Sequence, residues 1–240
     1  QQPGGSRWTF LAVFLFALVG VRVISFRCAP MLNTTMPDRA LTETKKEAVF
    51  DCMKNTVLHE EAARACVEQF GWQALPFYHA VIQDKDEALW VRGNACLLAG
   101  LYQSDESAPH ILKFIDALAH STVSKEALSL IATAFDGLGF TGSQDAYAYL
   151  VDDAVQPEYW LKKSSPPMRE EDESPDRFIE VIQKRAIRAL GLMPAGLGID
   201  GLESIREAQP ELAIYCDAAI EDAQSRRGWA VNLLTVVASQ

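Results

Sequence analysis

The stretch Ala95-Cys-Leu-Leu-Ala-Gly100 sets a pattern that returns twice along the chain, as Ala134-Phe-Asp-Gly-Leu-Gly139 and Ala186-Ile-Arg-Ala-Leu-Gly191. Each copy places a small alanine five positions before a glycine, inside a run of apolar residues at helical spacing. The glycines of the first and second copies are 39 residues apart, and those of the second and third are 52 apart. A two-helix unit with a period of about 40 residues is typical of stacked helical repeats, because one pair of helices cannot bury its own apolar stripe.

Helical spacing of apolar residues continues through nearly all of the chain after residue 43, and alternating stretches of strand type are absent from its sequence. The sequence therefore predicts an all-α body over residues 44–240. The predicted helices cover about residues 44–56, 59–70, 73–83, 86–102, 107–120, 125–138, 142–154, 176–193, 200–208 and 211–226, with a short apolar helix after Gly228.

The small residues of the pattern have a physical reading. Alanine at a contact lets two helix backbones approach closely, and a glycine near a helix end permits the left-handed turn that terminates it. The longer second interval matches a segment rich in proline, serine and charge, for which we predict an insertion loop over residues 156–176.

The first unit resembles a known family. Glu87-Ala-Leu-Trp-Val-Arg-Gly-Asn-Ala-Cys-Leu-Leu-Ala-Gly-Leu101 is similar to the second helix of a HEAT repeat of the bilin-lyase type, where a Val-Arg pair precedes an Ala-rich helix ending in Leu-Gly. Ala74-Leu-Pro-Phe77 is similar to that family's first helix. The resemblance covers roughly residues 70–224, but later units carry Ile131 and Gln183 at the arginine position. It implies a right-handed solenoid that serves as a scaffold or binding surface, and an ordinary irregular helical bundle stays an alternative.

An apolar run precedes the body. From Trp8 to Phe26 a helix would be about 28 Å long at ~1.5 Å per residue, close to the roughly 30 Å hydrocarbon core of a bilayer. We predict a single transmembrane helix, or uncleaved signal anchor, over 8–26, after a flank of residues 1–7 and before a linker of residues 27–43. The residues expected to hold this anchor in lipid and at its borders are Trp8, Phe14, Arg22 and Arg27. The alternative is a cleaved signal peptide, which would release a secreted binding module.

Two cysteines bear on the side of the membrane. Cys52 and Cys66 stand on neighbouring predicted helices, where a disulfide could staple a helical hairpin in an oxidising compartment. The alternative is that both are small buried hydrophobic residues. Arginines and lysines that follow the anchor favour the cytoplasm for the body, whereas a single N-terminal anchor with a disulfide favours the extracytoplasmic, periplasmic side. We favour the second location.

Charge and motifs narrow the function classes. The 240-residue chain has a formal net charge of −10, which argues against nucleic acid as a partner. The glycines of Gly196-Leu-Gly-Ile-Asp-Gly201 have a dinucleotide-binding spacing but follow a predicted helix instead of a strand, and His59-Glu-Glu61 lacks the second histidine of a zinc-protease helix. We therefore assign no catalytic residue, no cofactor and no metal site.

Most of the aromatic residues are expected in the core, and those that are exposed are the remaining candidates for recognition, since exposed aromatic side chains anchor many protein interfaces. The candidate interface residues are Trp72, Tyr78, Trp90, Tyr159 and Trp160. The sequence favours a membrane-anchored scaffold or adaptor subunit that contacts the bilayer and other protein subunits. A HEAT-like lyase that attaches bilin pigments is an alternative that rests on the family resemblance alone.

Overall fold

The computed structural model describes residues 41–54, 60–120, 125–163 and 175–237, and every regular element in those ranges is helical. The predicted all-α body is therefore confirmed. The candidate membrane segment with Trp8, Phe14, Arg22 and Arg27 lies outside the described residues. Among the helices that are described, none combines the length and the apolar character needed to cross a bilayer.

Eleven α-helices are described. The first six are α1 (Glu43–Met53), α2 (Glu60–Phe70), α3 (Leu75–Gln83), α4 (Leu89–Leu101), α5 (Ser107–Ala119) and α6 (Lys125–Thr141). The other five are α7 (Gln144–Ala148), α8 (Pro157–Lys163), α9 (Pro175–Gly191), α10 (Ile199–Ala208) and α11 (Ala213–Val237). A π-helical turn, Tyr149–Ala154, extends α7, and single 3₁₀ turns occupy Trp72–Ala74, Pro194–Gly196 and Pro210–Leu212.

The helices pack in sequential pairs. The extensive pair contacts are those of α3 with α4, α5 with α6, and α10 with α11, while the π-helical turn packs on α9. The second members of these pairs also contact one another in chain order, α4 with α6, α6 with α9 and α9 with α11. These four helices, α4, α6, α9 and α11, are called the row below. Helix α2 packs on α4 at the beginning of the row.

The closest helix contact in the row joins α4 to α6, and it is made by main-chain atoms. A Cβ atom added to Gly100 would lie 1.9 Å from the carbonyl oxygen of Gly137, and one added to Gly137 would lie 2.4 Å from that of Cys96. Neither position has room for a side chain, because real Cβ atoms keep more than ~3 Å from such atoms. The alanine predicted to lie at this contact, Ala95, is fully buried, as are its counterparts Ala134 and Ala186.

The row uses a glycine on both sides of α6. Gly139 lies two residues after Gly137, about 200° around the helix axis, and a Cβ atom there would lie 2.2 Å from the carbonyl oxygen of Ala189 in α9. Gly191, two residues after Ala189, in turn faces Ala219 of α11, whose carbonyl oxygen would be 2.9 Å from an added Cβ. A close approach between helix main chains thus recurs between α6 and α9 and between α9 and α11.

These contacts correct the role expected of the repeated glycines. Gly100 and Gly139 lie within their helices and Gly191 closes α9, and none of the three has a positive φ. The left-handed residues come three positions after the first two, at Gln103 (φ 53°) and Gly142 (φ 64°). The glycines are needed because the helices lie so close together, and the residues that follow the glycines end the helices.

Arg92 and Gln183 make similar hydrogen bonds to main-chain carbonyl oxygens. Arg92 donates from Nε to the carbonyl oxygen of Ile82 at 3.0 Å, near the end of α3. Gln183 stands eight residues before Gly191, as Arg92 does before Gly100, and its Nε2 donates to the carbonyl oxygen of Val155 at 2.8 Å. Arg92 thus satisfies a carbonyl near the end of α3, and Gln183 satisfies one just after the π-helical turn, where intrahelical partners are missing.

The predicted insertion loop over residues 156–176 needs correction, because its first part is helix α8 and its last two residues begin α9. Pro157 starts α8, and a proline at the first helical position loses no hydrogen bond there. A buried tryptophan, Trp160, then fixes this short helix to the core. The charge-rich residues after α8 lie outside the described ranges.

We expect the α4–α6 contact to be intolerant of a single methyl group. Gly137→Ala should lower the free energy of unfolding by about 2–4 kcal/mol, because its Cβ would overlap a main-chain carbonyl that cannot move independently of α4. Urea unfolding followed by circular dichroism measures this loss.

Gly93→Ala in α4 is the matched control. Its Cβ would meet only the flexible side chain of Leu130, with Cδ2 at 2.9 Å and Cγ at 4.0 Å, and the higher helix propensity of alanine, about 1 kcal/mol, offsets the crowding. Equal stability losses in the two variants would show that main-chain proximity is not what limits the contact.

Candidate functional site

A disulfide closes the hairpin of α1 and α2. Cys52 and Cys66 are bonded, with Cα atoms 6.4 Å apart and a sequence separation of 14. The hairpin is attached to the row through Asn94 of α4, whose Nδ2 donates to the carbonyl oxygen of Met53 at 2.9 Å. Met53 is itself fully buried. Cys96 and Cys216 are buried and carry free thiols.

The aromatic residues of the first unit divide into a core set and a surface set. Tyr78 is fully buried, so its predicted place at an interface is wrong: its ring belongs to the core between α3 and the row. Trp72 is 41% exposed and packs on the ring of Tyr102, with centroids 5.3 Å apart. Tyr102 is held by a 2.7 Å hydrogen bond from its hydroxyl to the carbonyl oxygen of Gly71. Trp90 is half-buried against the core.

The second aromatic group lies around α8. Trp160 is fully buried, which also corrects its assignment to an interface, and its Nε1 donates to the carbonyl oxygen of Ala154 at 2.9 Å. Its ring meets Phe135 and Phe178 at centroid distances of 6.2 and 6.4 Å. Tyr159 is only partly buried and contacts Trp160 edge to face at 5.2 Å. Trp160 therefore packs α8 on α6 and α9, and Tyr159 is left at the rim.

A lysine ties the end of α8 to α5. Lys163 donates from Nζ to Asp116 Oδ1 at 2.7 Å and to the Tyr159 hydroxyl at 2.9 Å, and the ammonium lies 4.5 Å from the centre of the Tyr159 ring. Burial acts to lower the pKa of Lys163, but the hydrogen bonds to Asp116 and Tyr159 outweigh it and raise the pKa above its ordinary value. Lys163 thus stays charged and acts as a tie between helices.

Two histidines stack where α3 meets α5. The rings of His79 and His110 are parallel within 8°, with centroids 4.3 Å apart. His79 Nε2 lies 3.0 Å from the Ser107 hydroxyl, which donates to the carbonyl oxygen of Ala99 at 3.0 Å. The hydroxyl hydrogen is directed at that carbonyl, so the imidazole donates to Ser107 instead of removing its proton. The arrangement is a structural hydrogen-bond chain and not a nucleophile with its base.

His79 is poised to stay neutral. Burial, together with the charge of neighbouring His110, lowers the pKa of His79 from 6.5 to about 4. A neutral ring can stack on its neighbour and donate a single hydrogen bond to Ser107, whereas an imidazolium there would face loss of solvation and a second histidine.

Large apolar side chains stay exposed at several places in the part of the chain that the structure describes. They are Trp72, Leu89, Leu161, Leu197, Ile214 and Tyr215. Ile214 is the most exposed, at 72%. Sequence reasoning missed it because apolar residues in a periodic helix are expected in the core. The available signal is its phase: the buried residue Cys216 is two positions away, about 200° around α11.

Within the described ranges, no group of three or more histidine, cysteine or carboxylate side chains could hold a metal ion. No protein-family model matches the chain, and neither a curated protein nor a solved structure matches it.

The disulfide should contribute measurably to stability. A Cys52→Ser/Cys66→Ser variant is expected to lose about 3 kcal/mol, the value for a closed loop of about 15 residues, since the open chain regains conformational freedom when unfolded. Reductant should lower the thermal unfolding temperature of the wild type to that of the variant and leave the variant unchanged. A wild type indifferent to reductant would contradict the pairing.

Stability should also depend on His79. Because its pKa falls on folding, the folded state is favoured fully above about pH 6.5 and loses this contribution as pH falls towards 4. We expect about 1–2 kcal/mol between pH 7 and pH 4.5, after allowing for solvent screening of a half-buried ring. Urea unfolding of the wild type and of His79→Gln at both pH values separates the contribution of His79 from that of the carboxylates. Identical pH dependence in the two proteins would exclude the effect.

Proposed function

We propose that the chain is a single-pass, membrane-anchored helical-repeat scaffold, an adaptor subunit that holds other proteins of a membrane complex through protein–protein contacts. The observation that carries the proposal is the row α4, α6, α9 and α11, in which each helix meets the next through glycine and alanine main chain. Such rows present continuous surfaces to partners.

Two features support a repeat of HEAT-like, right-handed pairs over an irregular bundle. One is the recurring close approach at Gly100, Gly139 and Gly191. The other is the similar hydrogen bond that Arg92 and Gln183 each donate to a carbonyl oxygen at the end of an earlier helical segment, α3 for Arg92 and the π-helical turn for Gln183. In repeat units that have diverged in sequence but kept their packing, we expect different side chains to make the same hydrogen bond at the same number of residues before the glycine.

The anchor rests on the apolar run from Trp8 to Phe26. The body begins at Leu41, which is buried in its core, so the tether between them is residues 27–40. Fully extended, those residues span at most about 45–50 Å at ~3.3–3.6 Å each.

The disulfide between Cys52 and Cys66 supports the periplasmic or other extracytoplasmic side, because such bonds persist in oxidising compartments. Exposed apolar residues at separate helices, such as Trp72, Leu161 and Ile214, support partner contacts, since such side chains gain stability when a partner covers them.

The test begins with membranes from cells that express the tagged full chain. We expect the protein to resist alkaline carbonate extraction, and a variant without residues 8–26 to be released. After mild detergent extraction, affinity purification should recover the same companion proteins in fixed stoichiometry, with a particle mass above the 26.5 kDa of one chain.

Two results would refute the proposal. Release of the full chain by carbonate would remove the anchor, and recovery of a detergent-solubilised single copy without reproducible companions would remove the adaptor role. Cysteine alkylation before cell lysis provides the control for the side of the membrane, since Cys52 and Cys66 should be protected until reductant is added.

A further inference from the structure

Helix α11 leaves one face without a helix of this chain among the described residues. Its inner stripe is buried against α9 and α10 and consists of Cys216, Ala219 and Ala223. On the other side Ile214 and Ala218, one turn apart, are exposed, and Tyr215 borders them at 36% exposure. An isoleucine that is 72% exposed beside an exposed alanine and a tyrosine forms an apolar strip of the kind that partners cover.

Acidic residues outnumber basic ones in the segment that contains this strip. Between residues 199 and 225 the sequence has seven carboxylates and one base, which leaves a net charge of −6 in a chain whose total is −10. All seven are exposed: Asp200, Glu203, Glu207, Glu211, Asp217, Glu221 and Asp222. The base, Arg206, is paired with Asp217 at 3.1 Å and adds no free positive charge.

One side of the strip already accepts a basic side chain. Lys184 of α9 places its ammonium 4.3 Å from the centre of the Tyr215 ring. The same ammonium pairs with Glu180. This contact combines an aromatic face with a carboxylate, which is the chemistry that recognises lysine or arginine.

From these observations we propose that the α11 face, made of Ile214, Tyr215 and Ala218 with Glu211 and Glu221 beside them, docks a basic amphipathic helix of a protein partner. The acidic surround would hold the lysines and arginines of that helix, and one of its aliphatic side chains would cover Ile214. Anionic lipid and nucleic acid are repelled by the same carboxylates, which favours a protein partner with a basic surface. This inference rests on the proposed function and names the chemistry of one partner.

The experiment uses the full chain in detergent and a defined probe, a fluorescein-labelled 18-residue helical peptide with leucines on one face and lysines on the other. Fluorescence anisotropy gives the Kd. Ile214→Ser should weaken binding at least about 5-fold, the loss of one buried aliphatic side chain. The matched control, Leu161→Ser, removes a leucine that is 55% exposed on α8 and should leave the Kd unchanged.

Charge is tested separately. Glu211→Lys/Glu221→Lys should weaken binding at least about 10-fold at low salt, and the wild-type Kd should rise as salt increases. Circular dichroism and thermal unfolding should match the wild type for all variants, because each altered side chain is exposed.

Several outcomes would overturn the inference. If Ile214→Ser binds like the wild type, or Leu161→Ser loses as much, the peptide is held by general electrostatic attraction and not by this face. If light scattering finds dimers that Ile214→Ser abolishes, the occupant is a second copy of the chain. If Ile214→Ser recovers all companion proteins from membranes as the wild type does, this face fails while the scaffold role stands; if neither protein recovers any, the scaffold role fails instead.

Discussion

The contact between α4 and α6 is the constraint on which the rest of the architecture depends. Two helices meet there so closely that a Cβ atom added to Gly100 would lie 1.9 Å from the carbonyl oxygen of Gly137. That distance sets how α3 and α5 must lie beside them, because each of these helices packs on its own partner in the row. Gly139 and Gly191 likewise allow a close approach of α6 to α9 and of α9 to α11. Dispersion between closely packed main chains replaces the interlocking side chains of ordinary helix pairs.

Polar groups then fix how each pair is oriented, and they do so mostly at helix ends. Arg92, Gln183 and Trp160 each donate to a carbonyl oxygen where a helical segment stops. Asn94 does the same for α1. Helix ends have unsatisfied carbonyls, so a donor from a neighbouring helix removes the cost of burying them and sets direction at once. Chemistry that could be read as a site, such as the serine beside His79, belongs to this class of structural bonds.

The sequence predicted the helices well and their contacts less well, for identifiable reasons. Apolar periodicity placed most helices, and the buried alanines were expected, since both depend on local pattern. The role of Gly100 was misread because a glycine near a helix end favours a cap, and only the neighbouring helix reveals the other use. Tyr78 and Trp160 were placed at an interface because aromatic type does not distinguish core from surface. Helix α8 was missed because proline, serine and charge dominate the segment around it.

An interface without side chains has a consequence for how this protein can change over time. Where two large side chains touch, a still larger residue on one helix can be accommodated by a smaller residue on the other. The two positions can then change together. Gly100 and Gly137 have nothing left to remove. A larger residue on one helix of this contact cannot be matched by a smaller residue on the other. Substitutions are therefore expected on the outward faces of the helices. The outer surfaces of the row are therefore free to vary in sequence while the spacing beneath them stays fixed.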